Sequence, residues 1–157
     1  MLFRSQQEQY SLAYPLLKEL ELQLRESDRS SQATLYQQIK YYTLVCGLKQ
    51  NEPGAALQAE DFINVEDHAA RVEQMNFHLG EYYFRRTEYT LALEHYGQTS
   101  VQHLNNREVA DYKFHQGYAY FSQQMYDLAK PLFNVIRQVK SDPNYAAANY
   151  YFGFISF

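Results

Sequence analysis

The sequence predicts an all-α solenoid of stacked antiparallel helix pairs, and three observations carry that expectation. The first is an internal repeat: Tyr10-Ser11-Leu12-Ala13-Tyr14-Pro15-Leu16-Leu17 matches Tyr126-Asp127-Leu128-Ala129-Lys130-Pro131-Leu132-Phe133, and Tyr89-Thr90-Leu91-Ala92 carries the same Tyr-x-Leu-Ala. The second is a pair of small-residue series, alanines at 13, 56, 92 and 129 and glycines at 47, 80, 117 and 153. They define a unit of about 36 residues holding two helices, the first with the Gly and the second with the Ala. Small residues there let helices approach closely, and a single pair cannot bury its apolar face alone, so pairs must stack. The third is that no strand-like alternation bounded by turn signals competes.

The chain has 157 residues and a net charge of −4, with 6 Gly, 4 Pro, 16 Tyr, 10 Phe and no Trp. That length suits one domain with a core. The charge has the wrong sign for a general nucleic-acid or anionic-membrane binder. Mean hydropathy is −0.57, and no apolar run approaches the roughly 20 residues of a membrane span. The single cysteine, Cys46, excludes a disulfide framework and a Cys-based zinc site. Within Leu44-Val45-Cys46 it reads as a small buried hydrophobe.

Helices are predicted over 9–26, 32–50, 54–64, 67–86, 90–104, 107–124, 127–140 and 145–157. Ser11, Thr90 and Asp127 read as N-caps, with Gly54 in the degenerate copy Pro53-Gly54-Ala55-Ala56-Leu57. On that reading Pro15 and Pro131 fall in the first turn, where a missing donor costs little. Ser141-Asp142-Pro143-Asn144 stops one helix and starts the next. Short connections make successive helices antiparallel neighbours. The chain opens on a second helix and stops inside a first helix, so Phe157 is expected to lie within a longer solenoid.

Leu79-Gly80-x-x-Tyr83 with Tyr89-x-x-Ala92-x-x-x-Tyr96, and Gly117-x-x-Tyr120 with Tyr126-x-x-Ala129-x-x-x-Phe133, resemble the tetratricopeptide repeat (TPR) family. Asp142-Pro143-Asn144 is similar to that family's inter-repeat turn. The units span approximately 40–66, 73–106 and 110–144 of a single fragment covering 1–157, with partial units at both ends. The resemblance implies a right-handed superhelix and peptide or protein binding. The Tyr-, Phe- and Gln-rich style is similar to envelope-associated repeat proteins of Gram-negative bacteria, which implies a periplasmic or envelope location.

The family's inner surface is lined by first helices at fixed offsets from the glycine. That implies Gln74, Phe77, His78, Glu81 and Arg85 in one unit, and Asp111, Phe114, His115, Tyr118 and Ser122 in the next. Tyr150, Tyr151 and Phe154 follow in the last helix, and Tyr41, Leu44, Val45 and Leu48 in the first full unit. The ligand-binding set is Gln74, His78, Glu81, Arg85, Asp111, His115, Tyr118, Tyr151 and Phe154, with Phe77, Phe114 and Tyr150 expected as inter-repeat core. The family's clamp for a C-terminal carboxylate needs Lys, Asn and Arg; Phe77, His78, Glu81, Phe114, His115 and Tyr118 stand instead.

The sequence holds no phosphate-cradling Gly loop, no Gly-x-Gly-x-x-Gly and no nucleophile elbow. His95 and His103, eight apart on one predicted helix, and Glu81, three after His78, are weak metal-ligand patterns. Glu60-Asp61 and Glu66-Asp67 read as helix-end solvation and capping, and Arg85-Arg86 as a cationic helix C-terminus. The expected function is a non-enzymatic scaffold binding a protein or peptide, with no cofactor, no metal and no catalytic residue. The alternative is a structural segment that self-associates through its C-terminal helix, and a His-based metal protein ranks last.

Overall fold

The computed structural model describes residues 2–26 and 33–157, with side chains for 6–25 and 33–157. Among the described residues the fold is all-α. It comprises α1 (Leu2–Glu26), α2 (Ala33–Gln50), α3 (Ala55–Val65), α4 (Ala69–Arg85), α5 (Tyr89–Gly97), α6 (Asn106–Ser122), α7 (Tyr126–Ile136) and α8 (Tyr145–Ser156), with a 3-10 turn at Val101–His103. Helices pack on their sequence neighbours: α1 on α2, α2 on α3, α5 on α6, α6 on α7 and α7 on α8. The chain divides into two compact units, Met1–His78 and Leu79–Phe157, the boundary falling within α4.

The turn that ends the first helix of each pair recurs at intervals of 36 and 37 residues. Asn51, Thr87 and Gln124 all adopt positive φ, at 54°, 60° and 61°. Around each, two backbone bonds close the helix in the Schellman manner. Glu52 N–H donates to the Gly47 carbonyl, Glu88 to Tyr83 and Met125 to Tyr120, at 2.9, 3.0 and 2.9 Å; Asn51, Thr87 and Gln124 donate to Leu48, Phe84 and Phe121. This register aligns Gly47 with Tyr83 and Tyr120, not with Gly80 and Gly117. The glycine series is therefore out of step by one helical turn in the first pair, where Leu44 takes the matching place.

Within the second unit, contacts across the turns run in opposite directions along the two helices. Tyr83 stacks on His95, and Phe84 meets Tyr89 nearer the turn. A Cβ built on Gly80 would lie 2.5 Å from the Tyr96 ring, and one on Gly117 would lie 3.1 Å from Phe133. Tyr96, Phe133, Ala92 and Ala129 are fully buried. Glycine is thus the notch, and the aromatic sixteen residues later fills it. In α3 the buried set is Ala55, Ala59 and Phe62, not Ala56. Gly54, at φ 79°, starts that helix immediately and rotates the face by one residue.

Several expected boundaries differ. The start at Gln32 lies outside the described residues. Helix α1 runs back to Leu2, so Ser11 is interior and its Oγ bonds the Glu8 carbonyl at 3.1 Å rather than capping. Pro15 lies deep inside α1. It is exposed, so the carbonyl it deprives of a helical donor can bond water. Thr90 and Asp127 follow N-caps Glu88 and Met125, and neither cap has a side-chain bond. Helix α5 stops at Gly97, seven residues short of the expected end. The Asp142 turn matches expectation: its Oδ1 accepts from the Asn144 N–H at 2.8 Å and α8 begins at Tyr145.

Candidate functional site

Helix α4 carries Glu81 and, one turn later, Phe84 and Arg85 on one face, the i, i+3, i+4 relation. Glu81 is half-buried, and one carboxylate oxygen serves two partners. It accepts from the Tyr96 hydroxyl of α5 at 2.6 Å and lies 2.7 Å from His115 Nδ1 of α6. Burial, reinforced by the Glu81 charge, pushes the Tyr96 phenol well above its ordinary range. Tyr96 therefore stays a protonated donor. Its backbone carbonyl in turn accepts from Tyr112 at 3.1 Å.

One turn before His115 on α6, Asp111 pairs with Arg107 at 3.3 Å. Burial raises the Asp111 carboxyl, while Arg107 and His115 pull it down. Desolvation lowers the Arg85 guanidinium and Glu81 opposes this; an arginine remains a cation regardless. Glu81, Arg85, Arg107, Asp111 and His115 thus form a charge-compensated cluster drawn from α4 and α6.

A series of rings continues from it. Phe84 stacks on His115 at 4.2 Å and 19°. Tyr118 meets Phe84 and Tyr89, each at 5.9 Å, and Tyr151 at 5.4 Å. Phe121 meets Tyr151 at 4.8 Å and the exposed Phe154 at 5.3 Å. Burial, with Tyr118 close to both, pushes the phenols of Tyr89 and Tyr151 above their ordinary value. Such edge-on and offset contacts suit the ring quadrupole. The result is a fixed, half-open surface with hydroxyls among its rings.

Seven of the nine expected binding residues fall in this second unit: Glu81, Arg85, Asp111, His115, Tyr118, Tyr151 and Phe154. Gln74 and His78 fall in the first unit. His78 is buried, its ring centroid 5.2 Å from Phe77 and 6.3 Å from Tyr41. Tyr41, Leu44, Val45 and Leu48, expected on the inner surface, are core. Phe77 is buried and Phe114 packs against the Ala129–Phe133–Ile136–Ala148 cluster, as core residues do. Tyr150, expected as core, is exposed.

His103 lies in the 3-10 turn, so it shares no helix with His95, which stacks on Tyr83 at 5.5 Å. Among the described residues no group of three metal-ligating side chains forms, and no helix is long and apolar enough to cross a membrane. Glu66 accepts from the His68 N–H and from Arg71, tying the α3–α4 connection. Burial pushes its carboxyl up, but those donors more than offset this and hold it below the ordinary value.

Phe84, Tyr89, Phe121 and Arg107 line the site without having been singled out as binding residues. The signal for Phe84 was present, three residues after Glu81 and seven after Phe77 on one helical face. Tyr89 read as a packing residue because its position recurs in each unit. Comparison with protein-family models, curated proteins and solved structures finds no match for this chain.

Proposed function

We propose that the chain is a non-enzymatic scaffold of the tetratricopeptide kind, a right-handed superhelix of helix pairs, that binds a peptide or protein. The surface formed by α4, α6 and α8 in the second unit is the binding face. The recurrent turns at Asn51, Thr87 and Gln124 and the Gly80–Tyr96 and Gly117–Phe133 notches support the repeat reading. One observation carries the binding reading: a half-open run of rings, Phe84, Tyr118, Tyr151 and Phe154, continues from a cluster whose charges are already compensated.

Such a face offers large contact area with few rotors to freeze. The mutual contacts hold it in place before a ligand arrives, which lowers the cost of binding. The tyrosine hydroxyls among the rings can meet the polar groups of a peptide.

Panning a random peptide library on the full chain, with the triple variant Glu81→Ala/Arg85→Ala/Tyr118→Ala as counter-screen, tests this. Peptides should enrich on the wild-type chain and lose affinity at least tenfold on the variant, helicity being retained. Enriched peptides that bind both equally would remove this face as the site.

A further inference from the structure

We infer that a cleft among α1, α2 and α3 binds a small organic anion, an acidic head on a short apolar body. The cleft lies wholly within the first unit, so the inference is independent of peptide binding on the second.

The sequence places its walls. On α1, Tyr14, Lys18, Glu21, Leu22 and Arg25 fall at i, i+4, i+7, i+8 and i+11, one face of a helix. On α2, Lys40, Leu44 and Gly47 repeat the start of that spacing. The three helices come closest at Gly47, where Tyr14 and Ala55 lie 3.3 and 3.4 Å from a Cβ built there. Beside this contact they leave a cleft of about 390 Å³, at the small end of the range for ligand pockets.

The lining is cationic. Lys18, Arg25 and Lys40 face the cleft against one carboxylate, Glu21. The chain as a whole carries a net charge of −4, so the sign reverses locally. Lys40 is half-buried, and the Lys18 ammonium is held 5.1 Å from the centre of the Tyr14 ring. Like charges gathered over low-dielectric walls focus the field and concentrate counter-ions. The Thr43 hydroxyl in the same wall donates to the Ile39 carbonyl at 2.9 Å, so recognition of an anion falls to the cations and the Gln58 amide. Leu22 and Leu44 add apolar wall, and Leu22, at 56% exposure, leaves area for an apolar body to cover. The ligand is a soluble anion, because the net negative chain is repelled by an anionic membrane surface.

Fluorescence titration of the full chain with anilinonaphthalene sulfonate, an anionic apolar dye, tests this. Binding should saturate and should weaken with added salt. Lys18→Gln/Lys40→Gln should lower affinity at least tenfold and flatten the salt dependence, while Lys18→Arg/Lys40→Arg should retain both. Octanoate should displace the dye and octanol should not. Far-UV circular dichroism verifies that each variant keeps its helices. Equal dye affinity in the glutamine variant, displacement by octanol as effective as by octanoate, or no saturable binding would each overturn the inference. So would co-sedimentation with phosphatidylglycerol vesicles that the glutamine variant abolishes, because the cations would then serve a lipid surface. None of these substitutions lies in the second unit, so the peptide-binding proposal stands or falls separately.

Discussion

Helices α2 and α6 each end in the same Schellman turn, yet they expose different chemistry. In α2 every residue from Tyr41 to Leu48 except Tyr42 is buried, and Tyr41 is the one aromatic ring among the buried ones. In α6 only Gly117 and Ala119 are fully buried, and Phe114, His115, Tyr118 and Phe121 remain half-open. Polar groups follow the same division. Thr43 bonds the Ile39 carbonyl of its own helix, whereas Glu81, Tyr96 and His115 bond across three helices. One helix-pair design therefore serves as closed core in the first unit and as a half-open, ring-lined surface in the second.

The largest expected effect breaks the second unit at its tightest point. Gly80→Ala would force a Cβ to 2.5 Å from the Tyr96 ring, which is fully buried and has no room to move. A loss of about 2–3 kcal/mol is expected in urea unfolding. Gly117→Ala, with 3.1 Å to Phe133, should cost less. Gly153→Ala, with an empty notch, should stabilise the monomer by about 0.5–1 kcal/mol through helix propensity. Equal effects at the three positions would refute the notch packing.

Next in size is Glu81→Ala, which leaves the buried Tyr96 hydroxyl without its acceptor and should cost about 1–3 kcal/mol. Thr43→Val, its counterpart in the first unit, removes only a local bond to a carbonyl and should cost under about 1 kcal/mol. A reversed order would erase the contrast between the units.

Glu66→Gln sharpens the comparison through pH. Glu66 is held below its ordinary value of 4.5, so the folded state favours its ionised form. Its contribution is present above about 4.5 and is lost as pH falls through the lowered folded value. The variant should be less stable by about 1 kcal/mol at neutral pH, with the gap closing in acid. A gap independent of pH would refute the Arg71 pairing. The smallest effect belongs to the exposed Arg86–Glu88 pair: Glu88→Gln should change stability by under about 0.5 kcal/mol.

All eight helices were legible in the sequence, because Tyr-x-Leu-Ala and glycine recur at an interval that only a helix pair fits. Their ends were less so. Pro15 and Ser11 read as a helix start, but exposure of Pro15 lets α1 pass through it. Gly97 ends α5 although the apolar pattern continues to Leu104. The ring-lined surface of the candidate site follows the glycine offsets in the second unit, and those offsets fail in the first, where Gly47 sits one turn late relative to the backbone turn. Offsets counted from it place core residues such as Tyr41 and Leu44 on a binding face. His78 and His115 occupy equivalent positions in sequence, yet one is enclosed by Tyr41 and Phe77 and the other meets Glu81 and Phe84. Only the neighbouring helices make that difference, and no local pattern encodes it.

Calorimetric titration of a panned peptide into Tyr118→Ala and Tyr42→Ala tests the binding face most directly. Both tyrosines lie on first helices; Tyr118 sits amid the rings of the second unit and Tyr42 is exposed in the first. Affinity should fall at least tenfold for Tyr118→Ala and stay unchanged for Tyr42→Ala. Unchanged affinity in Tyr118→Ala, or an equal loss in both, would contradict a binding face on the second unit.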